Sequence, residues 1–134
     1  MREILFRGKI RNSEEWTAGY LCRGSITDYS IEPANDLIHR WAVHTETIGQ
    51  YTGLEDKNGV KIFEGDILSI SLNLPFDESI GGVINVNWKT AVEYEDGSFK
   101  IEEDGRLYPL SEYVLTGRAE FEVIGNIHDN PELR

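Results

Sequence analysis

Residues 48–72, IGQYTGLEDKNGVKIFEGDILSISL, constrain the fold of this chain more than any other stretch. The end of the stretch, ILSISL, alternates between apolar and polar residues, which is typical of a β-strand with one buried face. Asn58-Gly59 supplies the left-handed backbone conformations that a two-residue hairpin turn requires. Gly65-Asp66 interrupts the run where a bulge or a barrel corner is expected. The stretch therefore predicts a hairpin followed by a strand that turns a corner.

Turn residues recur along the rest of the chain and indicate its fold class. Asp96-Gly97 lies between two alternating segments and predicts a further hairpin. About eight to ten short strands, with turns every 8–12 residues, favour an all-β or mainly β protein. We interpret it as a small SH3-like barrel with an additional N-terminal β-hairpin or sheet region and one or two short helical turns. Gly19, inside that N-terminal hairpin, indicates a close approach of two backbones.

Two element boundaries follow from single residues. Pro75 has no N–H to donate to a ladder, so the central strand is predicted to end before it and a loop to occupy residues 73–79. Ser111 is a favourable N-cap, so residues 111–115 are predicted to form one helical turn.

The 134 residues predict a single domain, 1–134, with possible subdomains at 1–52 and 53–134. Cys22 is the only cysteine, which excludes an intramolecular disulfide and a thiolate zinc site. No apolar run approaches the ~20 residues that a membrane-spanning helix needs. We therefore expect a cytoplasmic protein with no membrane association.

The net charge of −11 disfavours nucleic acid as a partner. Residues 1–70 carry eight basic and eleven acidic side chains, whereas residues 71–134 carry five basic and thirteen acidic ones. Proteins that bind DNA gain affinity by neutralising phosphates, and a uniformly acidic surface repels them. The locally basic positions are all near the N-terminus: Arg2, Arg7, Lys9 and Arg11. Acidity of this kind is expected to maintain solubility.

Carboxylates are the side chains of this sequence that could serve as catalytic groups. Alternating carboxylates on a strand can share a divalent ion, but they are also typical of solvated hairpin tips, which is the interpretation favoured here. Glu55-Asp56-Lys57 resembles an E-x-K fragment of metal-dependent nucleases but lies in a predicted turn. The candidate acids are Glu64 and Asp66 around the corner, and Glu93, Glu95, Asp96, Glu102, Glu103 and Asp104 across a hairpin.

Other catalytic signatures do not occur in the sequence. The histidines, His39, His44 and His128, are too scattered for a predicted metal site, which needs convergent ligands at tight spacing. The serines carry no nucleophile-elbow motif, and Gly81-Gly82 is not part of a phosphate-binding loop. We therefore predict no catalytic residue, no metal, no cofactor and no enzyme activity.

Three blocks of sequence resemble the YopX family of bacterial phage and prophage proteins. They are MREILFRGKI…WTAGYL, IGQYTGLEDKNGVKIFEGDIL and FEVIGNIHDNPEL. The resemblance implies a phage or prophage source and a β-rich fold. The family has no established activity, so the resemblance implies no catalytic residue.

These observations predict a non-catalytic accessory protein that acts as a protein-binding or self-assembly module. Its partners would be copies of itself, most simply as a dimer, or a host or phage protein. The alternatives are a nucleic-acid-associated protein with an SH3-like surface and an acidic DNA mimic that binds a host DNA-binding protein; an enzyme is the least favoured. The strand at residues 119–127 is predicted to pair with a neighbour through its free edge. Its candidate interaction residues are Phe121, Val123 and Ile127.

Overall fold

A computed structural model describes residues 3–24, 28–36, 38–77 and 81–133. The chain is mainly β, which confirms the prediction from turn spacing. Twelve strands and one α-helix lie within the described residues. The strands are β1 (Phe6–Lys9), β2 (Trp16–Arg23), β3 (Tyr29–Pro33), β4 (Trp41–Ala42), β5 (Gly49–Glu55), β6 (Lys61–Phe63), β7 (Asp66–Asp77), β8 (Gly82–Ala91), β9 (Glu93–Glu95), β10 (Ser98–Glu103), β11 (Arg106–Pro109) and β12 (Ala119–Asn126); the helix is α1 (Leu110–Thr116).

The chain divides into two compact units, Met1–Leu54 and Glu55–Arg134. In the first unit the strands are ordered β4-β3-β2-β1-β5, and the pairs that involve β1, β2 and β3 are antiparallel. A Cβ atom added to Gly19 of β2 would lie 2.1 Å from the backbone oxygen of Glu32. The close backbone approach predicted at Gly19 is therefore confirmed.

The second unit contains two three-stranded antiparallel sheets, ordered β12-β7-β8 and β11-β10-β9. Apolar side chains of β7 supply much of its core: Leu68, Ile70 and Leu72 alternate on one inward face, and Ile67 is buried on the other. The fully buried or nearly buried apolar residues of this unit are Ile62, Phe63, Ile67, Leu68, Ile70, Leu72, Ala91, Val92, Ile101, Leu110, Tyr113 and Phe121.

The predicted end of β7 before Pro75 is wrong. Strand β7 continues to Asp77, and Pro75 is paired in register with Val83 of β8. The register of β7 with β12 ends at Leu72 opposite Ala119, and the N–H of Asn73 makes the last hydrogen bond on that side, to Arg118 O, so beyond Asn73 the strand β7 has a neighbour on one side within its sheet. Proline is tolerated in a strand where the missing N–H would face the unpaired side.

The predicted helical turn is present, but Ser111 does not cap it. Helix α1 begins at Leu110 with Pro109 in the N-cap position and no side-chain capping bond. Leu110 and Tyr113 are buried, so packing of one helix face compensates for the missing cap. Among the described residues, no helix has the length and hydropathy that crossing a membrane requires.

Candidate interaction surface

The reversal that follows β5 is built around a buried carboxylate. Asp56 Oδ1 accepts hydrogen bonds from the backbone N–H groups of Asn58 (2.8 Å) and Val60 (2.9 Å). The backbone N–H of Asp56 donates to Val60 O at 2.8 Å, and the residue is only 8% exposed. The turn therefore spans residues 56–60, which is longer than the two-residue hairpin predicted from Asn58-Gly59. The reason is that the aspartate side chain organises the backbone around itself.

Replacing Gly59 by valine is expected to destabilise this turn by at least about 1 kcal/mol, because β-branched residues resist positive φ. Gly59 has a φ of 80°, and a Cβ atom there would meet open space. The cost is therefore conformational and not steric. Gly59→Asn is the matched control, since asparagine tolerates this region of the backbone map. Thermal unfolding should show a clear loss for Gly59→Val and a smaller one for Gly59→Asn; equal melting temperatures for both variants and the wild type would contradict it.

The same carboxylate also binds the outer edge of β12. Asp56 Oδ2 accepts a hydrogen bond from the backbone N–H of Val123 at 2.9 Å, and the N–H of Lys57 donates to Phe121 O at 3.0 Å. The other edge of β12 is paired with β7. The carbonyl of Phe121 and the N–H of Val123, which point away from β7, are thus already used within the chain.

The edge at residues 119–127, which was expected to be free, is therefore partly engaged within the chain, at Phe121 and Val123. The Phe121 side chain is buried, and the side chains of Val123 and Ile127 are half-buried. The N–H of Ile127 donates to Gly65 O at 2.9 Å. From the sequence, β12 could be identified as a strand, but the residues that cover its edge lie more than sixty positions earlier in the chain.

The Asp56 carboxylate also links folding to pH. Burial acts to raise its pKa, but the hydrogen bonds from the N–H groups of Val123, Val60 and Asn58 outweigh it, so the pKa lies below the ordinary value. A carboxyl group with a lowered folded-state pKa contributes stability above its unfolded-state pKa of about 3.9, and this contribution is lost as the pH falls through the folded-state pKa.

We therefore expect the free energy of unfolding to fall as the pH is lowered from about 5 to below the unfolded-state pKa of about 3.9, with part of that slope due to Asp56. Urea titrations across this range should give a shallower pH dependence for Asp56→Asn than for the wild type. Identical slopes would show that Asp56 does not contribute.

The predicted corner and hairpin residues lie at turns of the backbone. Gly65 has a φ of 91°, and the buried Asp66 accepts a hydrogen bond from the N–H of Phe63 at 2.7 Å through Oδ2. Asp96 and Gly97, with φ values of 51° and 82°, connect β9 to β10. The Asp66 carboxylate therefore holds the corner through a backbone hydrogen bond.

Strand β8 forms the other edge of the β12-β7-β8 sheet. The first residues of β8 and the last residues of β7 remain paired with each other past the N-terminal end of β12. We call residues 73–77 of β7 and 82–87 of β8 the arm. Three apolar side chains of the arm share one face, since Leu74 is in register with Ile84, and Val86 lies two residues further along β8. They are 39%, 48% and 36% exposed, respectively. The arm thus presents an uncovered apolar strip.

The other face of the arm carries a ladder of side-chain amides. Asn85 Nδ2 donates to Asn73 Oδ1 (2.7 Å) and to Ser71 Oγ (2.9 Å). Asn87 Nδ2 donates to Asn85 Oδ1 at 2.6 Å. These hydrogen bonds link β7 and β8 on the polar face of the arm. They stabilise the register in which the apolar side chains lie together on the opposite face. The arm was missed in the sequence because a loop was predicted from residue 73.

A cleft of about 260 Å³ lies where β8 meets β10. Trp88 Nε1 donates to Glu102 O at 2.8 Å, and the N–H of Glu102 donates to Thr90 Oγ1 at 3.1 Å. Nearby, the Tyr113 hydroxyl donates to the Glu103 carboxylate, and burial followed by this contact raises the tyrosine pKa. The cleft is lined by Trp88, Lys89, Thr90, Ala91, Glu93, Glu102 and Asp104.

The structure does not assemble the candidate acids and histidines into a metal site: within the described ranges, no three His, Cys, Asp or Glu side chains are grouped as ligands. His39 Nδ1 lies 2.7 Å from Asp36 Oδ2, and His44 Nδ1 lies 3.7 Å from Glu46 Oε1. Cys22 is half-buried.

Comparison with known proteins places the chain in a family. A family model described as YopX protein matches residues 5–133. The crystal structure of protein EF1440 from Enterococcus faecalis is similar, with 26% sequence identity, a TM-score of 0.57 and coverage of 99% of both chains. No curated protein matches the chain. The family match includes both the 56–60 turn and the arm.

Proposed function

The chain belongs to the YopX family, and on that premise we propose that it is a non-catalytic phage or prophage accessory protein that acts in the cytoplasm as a protein-binding or self-assembly module. The observation that carries this proposal is the arm. Its strip of Leu74, Ile84 and Val86 is apolar and exposed on a protein with a net charge of −11. Contiguous apolar surface of this kind marks contacts with other macromolecules.

The composition of β8 supports the same proposal. Edge strands of monomeric proteins are usually protected by charged residues, prolines or bulges. Strand β8 has no charged residue between Gly82 and Trp88, and Lys89 is its first. Three β-branched residues occur in the same segment, namely Val83, Ile84 and Val86. An edge with this composition favours pairing with another chain.

Photocrosslinking in bacterial cells tests the proposal. A photoreactive phenylalanine analogue at Ile84 should yield covalent adducts with protein, identified by mass spectrometry. The same analogue at Tyr94, an aromatic residue of β9 that is also exposed, is the matched control. Adducts at position 84 and not at position 94 would support the arm as the contact surface. No adducts at position 84, or the same adducts at both positions, would contradict it.

We also propose that the second unit is a small SH3-like barrel. The support is its order of elements: a corner at Gly65, the long β7–β8 hairpin, two shorter hairpins and a helix before the last strand. A crystal structure tests this detail. A continuous ring of hydrogen-bonded strands would support the barrel, and two open sheets would exclude it.

A DNA mimic is the second candidate function, favoured by one observation. Exposed carboxylates recur along the β9–β11 sheet, at Glu95, Asp96, Glu102 and Asp104. A mimic should compete with duplex DNA for a bacterial DNA-binding protein while not binding DNA itself. We expect the protein to bind duplex DNA no more tightly than about 10⁻⁴ M at physiological salt, the weak end of non-specific binding. A micromolar, steeply salt-dependent isotherm would instead support a nucleic-acid-binding role.

A further inference from the structure

We propose that the arm binds the arm of a second copy of this chain. In this arrangement, two β8 strands pair antiparallel through their outer edges, about a two-fold axis at Asn85, to form a β7-β8-β8-β7 sheet. The inference rests on the proposed function and names the partner of the same surface.

The register of the arm shows which backbone groups are available. The N–H of Asn73 donates to Arg118 O at 3.0 Å, on the β12 side of β7. Because successive residues of a strand present their backbone groups to opposite edges, Leu74 presents its groups to β8, where its partner in register is Ile84. The next residue, Asn85, therefore presents its N–H and C=O to the outer edge of β8, away from β7.

The sequence of this edge is complementary to itself. An antiparallel pair centred on Asn85 places Ile84 of one copy opposite Val86 of the other, and Asn85 opposite Asn85. Directly opposite residues share a face of the sheet, so the apolar strip and the amide ladder both continue into the second copy. The same register places Trp88 opposite Gly82, a residue without a side chain that could collide with the indole ring.

Charge favours a second copy in spite of the net charge of −11. Like charges repel when they are brought together, but screening limits this over more than ~8 Å at physiological salt. Strand β8 has no acidic residue from Gly82 to Ala91, so pairing through it places no carboxylate directly against another. An acidic protein that recognised a basic partner by charge would be expected to present carboxylates at the contact, and this edge presents none.

The two edges of the β12-β7-β8 sheet also differ in a way that points to β8. The outer edge of β12 is engaged at Phe121 and Val123 by Lys57 and Asp56 of the same chain. The segment 82–87 of β8 has neither charge nor proline to protect it. A two-fold contact between identical edges closes this second edge and is the commonest symmetry of soluble oligomers.

Light scattering and a charge-swap pair test the proposal with the full chain. At tens of micromolar the wild type should have twice the chain mass of 15.3 kDa. Asn85→Lys and Asn85→Glu each place like charges against each other across the axis, and each should weaken self-association by at least about tenfold. An equimolar mixture of the two variants should recover the dimer. Val60→Lys makes the same change in charge at an exposed turn residue and should leave the dimer intact.

Cysteine crosslinking gives a readout that does not depend on the charge variants folding well. In a Cys22→Ser background, Asn85→Cys should form a covalent dimer on mild oxidation, because residues directly opposite in antiparallel strands lie within disulfide reach. Val60→Cys is the matched control and should form no covalent dimer.

The possible results separate this inference from the proposed function. A wild-type mass near 15.3 kDa, or a dimer that all Asn85 variants retain, would overturn pairing through β8. If the wild type is monomeric while crosslinks at Ile84 capture a different protein, the protein-binding function stands and only the self-pairing is lost. If crosslinks at Ile84 are also absent, both are lost.

Discussion

Replacing Asp56 by alanine is expected to lower the free energy of unfolding by on the order of 4 kcal/mol, since hydrogen bonds to a charged acceptor contribute about 1.5–3 kcal/mol each. The variant removes the acceptor for the backbone N–H groups of Asn58, Val60 and Val123. Small domains have a total stability of only about 5–15 kcal/mol. This one side chain would thus account for a large part of the stability of the second unit.

Asp36→Ala is the matched control. Asp36 Oδ1 also accepts two backbone hydrogen bonds, from Ile38 (3.1 Å) and His39 (3.3 Å), but its carboxylate is exposed, and water can replace it. Urea unfolding should therefore show a large fall in midpoint for Asp56→Ala and little change for Asp36→Ala. Asp56→Asn should lie between the two, because an amide group has one acceptor oxygen where the carboxylate has two. Equal midpoints for both alanine variants would contradict this account.

Gly19→Ala is expected to cost at least about 3 kcal/mol, the upper range for inserting atoms into a packed site. The new methyl group would lie 2.1 Å from Glu32 O and 2.8 Å from Pro33 Cα. Both atoms belong to the backbone of β3, which is paired with β2 at this point. Rotation of a side chain cannot relieve the contact, so the two strands must separate locally.

Hydrogen exchange resolved by peptide would locate this damage. Faster exchange is expected in β2 and β3 of Gly19→Ala, with the β7–β8 hairpin unchanged as an internal reference. Gly24→Ala is the control, because a Cβ atom there meets nothing within 4 Å. If Gly19→Ala and Gly24→Ala protected β2 equally well, the close backbone approach at Gly19 would be disproved.

Local patterns in the sequence predicted local structure well. The alternation after Gly65 and the Asp96-Gly97 pair indicated strands and a hairpin that the structure contains, because these features depend on neighbouring residues. The structural role of Asp56 was not predictable in this way. Its Oδ2 accepts from Val123, and no pattern in a short window reports a contact across 67 positions.

The continuation of β7 past Pro75 illustrates the same distinction. A proline excludes a strand only where its nitrogen would face a neighbouring strand, and that depends on where β12 ends. The arm, which is the basis of the proposed function, could therefore not be recognised before the pairing of β7 was known.

The two oxygens of Asp56 have a consequence for the order of folding during synthesis. Oδ1 binds N–H groups two and four residues away, whereas Oδ2 binds an N–H in the last strand. The first set can form as soon as the 56–60 turn leaves the ribosome, because short loops close quickly; the second must wait for β12. The nascent chain can therefore form the Oδ1 hydrogen bonds before β12 has been synthesised. The Oδ2 hydrogen bond to Val123 forms last, and from then on this part of the β12 edge is no longer available to other chains.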